Sequence, residues 1–286
     1  MHVFITGATG WVGSAVTDEL LKAGHQVTGF VRDKNKAAAL SAAGGRIIEG
    51  TLDDLDVFRK AASSADAVIH AAFNHDFSKF MEGVAQDQRV IETLGSALQG
   101  SDRPMLVTSG LLGLSAGATE KDIPGPGPRK SEPTARALAE RGIKVATVRL
   151  ASCVHGIGDW GFVPMLARMA RQTGVSAYIG GAGNNWSGVH RLDAAKVYRL
   201  ALEQGISEAA YHAVADEAVP FKTIAELIGR HLGLPVEARD RDHFGGFAHF
   251  AGAELSASSA KTRSVLGWNP TGPSLIADID QPGYYG

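Results

Sequence analysis

The run Val3-Phe4-Ile5-Thr6-Gly7-Ala8-Thr9-Gly10-Trp11-Val12-Gly13-Ser14 constrains this chain most. A short β-like stretch stops at Gly7. Gly10 and Gly13 follow at intervals of three, and an apolar helical pattern starts at Trp11. The first N–H groups of a helix have no partner inside it, and they carry the positive end of its dipole. Glycine lets a ligand approach that backbone closely. A strand, a tight turn and a helix start in direct succession therefore form the geometry that holds a dinucleotide pyrophosphate. The spacing is G-x-x-G-x-x-G rather than G-x-G-x-x-G, and its place right after an apolar strand supplies the context that the glycines alone lack. The expected cofactor contacts here are Gly7, Thr9, Gly10, Trp11, Val12 and Gly13.

The alternation continues. Strand patterns fit Val3–Thr6, Gln26–Val31, Arg46–Ile48, Ala67–Ala71, Met105–Thr108 and Lys144–Leu150. Helical patterns fall between them at Trp11–Ala23, Lys34–Ala43, Leu55–Ala62, Ala85–Leu98 and Ser131–Arg141. Gly24 and Gly142 are placed to close two of these helices. Such a pattern predicts an α/β fold, a doubly wound parallel sheet of the Rossmann type. After Leu150 the pattern changes. Helices fit Phe162–Thr173, Asp193–Glu203, Phe221–Leu232 and Ala260–Leu266, separated by short apolar pieces such as Ala177–Ile179 and Ala210–Val214. Residues 1–155 are expected to form the dinucleotide-binding Rossmann domain. Residues 156–286 are expected to form a smaller, mostly helical C-terminal substrate lobe, with segments returning to the sheet.

The bulk properties exclude several classes. A net charge of -2 and the absence of a Lys/Arg-rich run give no footprint for nucleic acid. The single cysteine, Cys153, excludes an internal disulfide and cannot build a zinc site by itself, so no metal is expected. It reads as a buried structural thiol. No apolar stretch reaches the roughly 18 residues that span a bilayer. The first strand begins at Val3, which leaves no room for a signal peptide before it, so the expected location is cytoplasmic.

The second strand ends in Phe30-Val31-Arg32-Asp33. An acid at this strand end binds the ribose hydroxyls of NAD, whereas a nearby arginine accommodates the 2′-phosphate of NADP. Val31 stands at the acid position and Arg32 follows it, so the expected cofactor is NADP(H). A guanidinium also stacks on adenine. Leu52, Ala71, Ala72, Phe73, Thr108 and Leu150 lie at other strand ends on the same edge and complete the expected cofactor contacts. Asp53 and Asp54 read as an N-cap and first-turn acid, and His70 as a packed structural histidine. Gly113–Arg129 is rich in glycine and proline, which rules out helix or central strand. It is either a mobile flap over the ligand or a rigid surface connection.

These residues resemble the extended, NAD-dependent epimerase/dehydratase-like branch of the short-chain dehydrogenase/reductase superfamily. The matching pieces are the glycine turn, Asp66-Ala67-Val68-Ile69-His70-Ala71-Ala72, Val107-Thr108-Ser109-Gly110 and Val148-Arg149-Leu150. Val154-His155-Gly156-Ile157-Gly158-Asp159, Val189-His190-Arg191-Leu192-Asp193-Ala194-Ala195 and Leu266-Gly267-Trp268-Asn269-Pro270 follow in the same order. The resemblance implies catalysis by a Tyr-x-x-x-Lys pair with a serine, and homodimers paired through the helices beside the sheet. This chain departs from the pattern: Pro124 and Pro128 stand where the tyrosine and lysine belong. None of its tyrosines has a lysine four residues later. Ser109 is then the candidate catalytic hydroxyl, with Thr108 the alternative by a one-residue shift in register and Gly110 at the family's third position. Arg129 and Lys130 lie near the missing lysine. Asn74, His75 and His155 are candidate proton donors. Phe73, Trp160, Phe162 and Trp186 are expected to form an apolar substrate pocket, bordered by Phe244-Gly245-Gly246-Phe247. Asp193 is expected to cap a helix. The expected activity is NADP(H)-dependent hydride transfer to or from a small carbonyl, alcohol or imine with a non-standard proton donor. The alternatives are a non-catalytic NADP(H)-binding sensor and, ranked last, a nucleotide-sugar epimerase or dehydratase.

Overall fold

A computed structural model describes residues 1–181 and 183–285, apart from the side chains at 36 and 77. The N-terminal half runs β1 (His2–Thr6), α1 (Trp11–Lys22), β2 (Gln26–Val31), α2 (Ala38–Ala42), β3 (Arg46–Glu49) and α3 (Leu55–Ser63). It continues through β4 (Ala67–His70), α4 (Phe80–Ala97), β5 (Met105–Gly110), α5 (Ser131–Glu140) and β6 (Val145–Leu150). Then come β7 (Cys153–His155), α6 (Phe162–Thr173), β8 (Ser176–Ile179), β9 (Asn185–His190), α7 (Arg191–Glu203), β10 (Ala210–Ala213) and β11 (Asp216–Pro220). The chain finishes with α8 (Phe221–Leu232), β12 (Val236–Arg239), α9 (Ala248–Ala251), α10 (Ala260–Leu266) and α11 (Leu275–Ile279).

Seven parallel strands form the main sheet in the order β10-β6-β5-β4-β1-β2-β3. The central strands are apolar without a break because helices cover both faces. Alternate residues feed two cores. Val3, Ile5, Ile69 and Leu106 pack on the α1 and α7 side, while Phe4, Val68, Met105 and Val107 pack against α3, α4 and α5. Burying each large apolar side chain contributes about 1.5–3 kcal/mol. The chain order reverses between β1 and β4, the topological switch point where open α/β sheets bind their ligands.

The later segments divide between two bodies. Helix α7 and strand β10 return to the main sheet, where β10 pairs with β6. Helix α10 also packs on that side, through Leu266, and most of the remainder builds a lobe around Trp186, Phe221, Phe244 and Tyr284. Besides its helices the lobe carries a three-stranded sheet, β11-β9-β7, and a two-stranded one, β12-β8. Cys153 is buried there without a disulfide. No helix among the described residues is long and apolar enough to cross a membrane.

Several local readings are corrected. The segment read as one helix over residues 34–43 is a 3-10 turn, Lys34–Ala37, followed by the short α2. Helix α4 starts at Phe80, five residues before the expected Ala85. Asp193 is not the cap of α7. His190 holds that position, its Nδ1 accepting from the Leu192 amide, while the Asp193 carboxylate accepts from the amides of Thr271 and Gly272. Asp54 does precede α3, but its carboxylate turns back to the Thr51 amide and hydroxyl instead of capping the helix.

Candidate functional site

The glycine turn lies at the switch point. Gly7 has φ +70°, a left-handed conformation that side chains with a Cβ rarely adopt. A Cβ there would also lie 2.8 Å from the Ala71 carbonyl and the Ala72 amide, so glycine lets β1 and β4 close the crevice floor. Gly13 is more constrained: its Cβ would stand 2.0 Å from the Gly7 carbonyl oxygen. Gly10 caps α1 with no side chain bonded to the helix start, and no acid occupies the first turn. The Gly10 amide closes the turn on the Gly7 carbonyl, which leaves the first helical amides after it for an anionic ligand, and the residues present fit a dinucleotide pyrophosphate. Trp11 serves a further purpose. Its indole N–H donates to the Val154 carbonyl at 2.7 Å, and the Arg191 guanidinium stacks on its ring at 4.2 Å. It ties the helix start to the start of the lobe.

The other expected contacts lie along the same carboxyl edge. Arg32 is exposed just past the end of β2, and Asp33 caps the following 3-10 turn by accepting from the Asn35 amide. Leu52 is half-buried beyond β3; Ala71, Ala72 and Phe73 follow β4; Leu150 ends β6. Thr9 is exposed and Val12 half-buried beside the turn.

Thr108 and Ser109 are consecutive in β5, so they face opposite sides of the sheet. Thr108 shares the side of Leu106, and its hydroxyl meets the Tyr198 hydroxyl at 2.8 Å. Tyr198 is wholly buried on α7, and burial pushes its hydroxyl well above the usual tyrosine range. It supports Thr108 from below and does not reach the cleft. Ser109 shares the side of Val107, toward α4 and α5. It is half-buried, and its hydroxyl has no hydrogen-bond partner among the described residues. Gly110 leaves open space: a Cβ there would meet nothing within 4 Å.

A buried polar chain runs beneath this edge. The Thr6 hydroxyl accepts from the Ala71 and Ala72 amides and lies 2.8 Å from His70 Nδ1. Already accepting twice, it donates to Nδ1, which places the imidazole proton on Nε2. His70 Nε2 then donates to Asp87 at 3.0 Å, and Ser131 donates to the other Asp87 oxygen at 2.6 Å. Burial works against the Asp87 charge, yet these hydrogen bonds hold its carboxyl below the usual range. Arg129 Nε donates to Ser131 at 3.0 Å, and the guanidinium lies over the Phe73 ring at 4.1 Å. His70 is therefore a structural histidine that connects the cofactor turn to Arg129.

The cleft rim combines Phe73, His75 and Trp160, whose rings meet edge to face at 5.5 and 5.9 Å. Burial first, then the charges of Arg129 and Arg32, hold the His75 imidazole below its usual value. Other expected pocket residues lie elsewhere. Phe162 and Trp186 pack with Phe221, Phe247 and Phe250 inside the lobe, and Phe244 is buried there too. Their aromatic character serves the lobe's core. His155 is fully buried and bonded to Asp278 at 2.7 Å, so it is not a proton donor to the cleft. Lys130 is exposed and bonds the Gly127 carbonyl.

Residues 113–129 contain no helix or strand, but their middle is anchored. Ala118 forms an isolated bridge with Ala257, and the Gly117 amide donates to Ser256. The buried Glu120 carboxylate accepts from the amide and hydroxyl of Thr262. Arg149 donates to the carbonyls of Thr119 and Asp122. Over residues 117–122 the rigid connection wins over the flap. No single motif could have shown this, because the partners lie far away in the chain.

Comparison with known proteins places this geometry in context. Residues 7–155 match a family model described as NAD(P)H-binding. An uncharacterized protein of Schizosaccharomyces pombe is 43% identical over the full length of both chains. A 2-alkyl-3-oxoalkanoate reductase of Stenotrophomonas maltophilia is 27% identical over 82% of this chain and 77% of its own length. Among solved structures, UDP-glucose 4-epimerase of Thermus thermophilus in complex with NAD superposes with a TM-score of 0.75. It is 18% identical and covers 100% of this chain and 98% of its own.

Proposed function

This chain belongs to the NAD(P)H-binding family whose model matches residues 7–155, and we propose that it is an NADP(H)-dependent oxidoreductase of the extended short-chain dehydrogenase/reductase type, acting on a small carbonyl or alcohol. The observation that carries the reading is the open amide cradle at Gly7–Gly13, with Arg32 at the next strand end. Arg32 supports the preference for the extra phosphate, since β2 ends without an acid at the ribose position. A relative named as a reductase agrees with hydride transfer. When bound, the dihydronicotinamide supplies the hydride.

The chain's own residues supply position and polarity. The Trp11 and Val12 amides at the start of α1 would hold the diphosphate. Ala71, Ala72 and Phe73, just past β4, would line the floor beneath the coenzyme. Ser109 donates to the carbonyl oxygen as negative charge develops there, which is worth most in a site shielded from water. Arg129 adds a fixed positive charge from the side where family members place a lysine. With no Tyr-x-x-x-Lys pair in its sequence, the chain is an atypical member, and the proton reaching the product oxygen comes from water. The loss of the Tyr-x-x-x-Lys pair also favours a second reading, a sensor that binds NADPH without turnover.

Absorbance of NADPH incubated with aldehydes, ketones and imines separates the two. Consumption is expected, and Ser109→Ala should slow it about a hundredfold with NADPH affinity unchanged. Tight NADPH binding with no consumption across a broad panel would establish the sensor instead. Unaltered turnover in the variant would remove Ser109 from the mechanism.

A further inference from the structure

Arg129 stands in the cleft without a counter-ion. Only its Nε has an acceptor, Ser131; its two Nη groups have none, and no carboxylate lies within ion-pair distance, among the described residues. Asp87 lies behind Ser131, already bonded to His70 and Ser131, so it compensates the charge only from a distance. Burial pulls the guanidinium below its usual value, with Asp87 the main opposing charge. A half-buried guanidinium with no paired anion is costly to hold. Its placement adds to that cost. Arg129 comes just ahead of α5, where the helix dipole favours negative charge. The charges of both Arg129 and Arg32 reach His75, which burial first of all holds toward its neutral form.

The guanidinium is also held in one plane. Phe73 supports one face at 4.1 Å, and Ser131 fixes Nε. Through Ser131, Asp87, His70 and Thr6 its position is coupled to the Ala71 and Ala72 amides, which form the cofactor floor. A rigid fork of donors held by Ser131 and Phe73 matches a carboxylate, which takes two parallel N–H bonds from arginine. Beyond Phe73 and His75 the rim is apolar: Trp160 is 53% exposed, a high value for such a residue.

We propose that Arg129 binds the carboxylate of the substrate, so that the molecule reduced is an oxo carboxylic acid whose apolar remainder lies against Phe73 and Trp160. This rests on the reductase reading. The same cation has one other natural partner, a phosphate of the coenzyme, and the test distinguishes the two.

The test is direct binding to the full chain saturated with NADP+, followed by calorimetry. The probes are 2- and 3-hydroxy acids of increasing chain length, the reduced counterparts of oxo acids, each compared with its methyl ester. On the wild-type protein at least one acid should bind about tenfold or more tightly than its ester. Arg129→Met should bring that ratio to about one while leaving the NADPH dissociation constant within about twofold. Arg129→Lys keeps a charge without the fork and should retain part of the preference; it also serves if the methionine variant does not fold. Esters binding as well as acids, or no acid binding at all, would overturn the proposal. So would a marked loss of NADPH affinity in Arg129→Met, which assigns the guanidinium to a coenzyme phosphate. A wild-type protein that does not bind NADPH refutes the cofactor reading itself, and the proposal with it.

Discussion

Gly13→Ala should abolish dinucleotide binding and lower stability by about 3 kcal/mol or more, the upper range for overpacking. The added methyl would sit 2.0 Å from the Gly7 carbonyl oxygen and 2.8 Å from its carbon. Both are backbone atoms at the end of a central strand, so no side-chain rotation relieves the overlap. Helix α1 must move away from β1. That breaks the turn closed by the Gly10 amide on the Gly7 carbonyl at 2.9 Å and scatters the amides that would meet the diphosphate. Gly110→Ala is the matched control. Its methyl meets nothing within 4 Å, and the backbone there is not left-handed. Urea unfolding and NADPH titration of the two variants should differ sharply. Normal binding and stability in Gly13→Ala would show that the turn is not packed as described.

The second large effect is expected from Glu132→Ala, at about 3–5 kcal/mol. Glu132 and Arg149 form a fully buried bidentate pair, with nitrogen–oxygen distances of 2.6 and 2.9 Å. Arg149 also donates to His212 Nε2 at 2.9 Å and to the Asp122 carbonyl at 2.7 Å. With Nε2 accepting, the His212 proton lies on Nδ1 and is donated to the Ser258 carbonyl. Burial, above all, keeps this imidazole below its usual value. Removing the carboxylate leaves a buried guanidinium with no ion-pair partner among the described residues. The loop at 119–122 then loses its anchor, and Arg129 at the loop's end loses its fixed position. Hydrogen exchange should show early opening of residues 117–122 together with a lower unfolding midpoint. A small stability loss with the loop still protected would contradict this role. The paired change to apolar residues of similar volume should cost less than the single one, because it leaves no orphaned charge.

The sheet and the glycine turn after β1 are legible because their signals are local. Strand β2 and helices α6, α8 and α10 match the expected boundaries, as continuous apolar pattern and flanking glycines mark their ends. Gly174, Gly233 and Gly267 each close a helix in the left-handed conformation. The start of α4 was obscured by Gly83 and by Met81, which is exposed and breaks the apolar periodicity. Asp193 looked like a cap because a helix-start acid commonly is one. Tertiary structure recruits it instead to amides 78 and 79 positions away. The aromatic residues of the lobe carry no local mark that separates core from pocket, so Phe162 and Trp186 were read with Phe73 and Trp160. The Arg129 network was hidden for the same reason. Asp87 meets Ser131 across 44 positions, and Thr6 meets His70 across 64.

Calorimetric titration of the purified wild-type chain with NADPH and with NADH tests the account at its centre. NADPH should bind through the glycine turn and Arg32, more tightly than NADH by about tenfold or more. Heat from neither coenzyme, on protein shown to be folded, would contradict it.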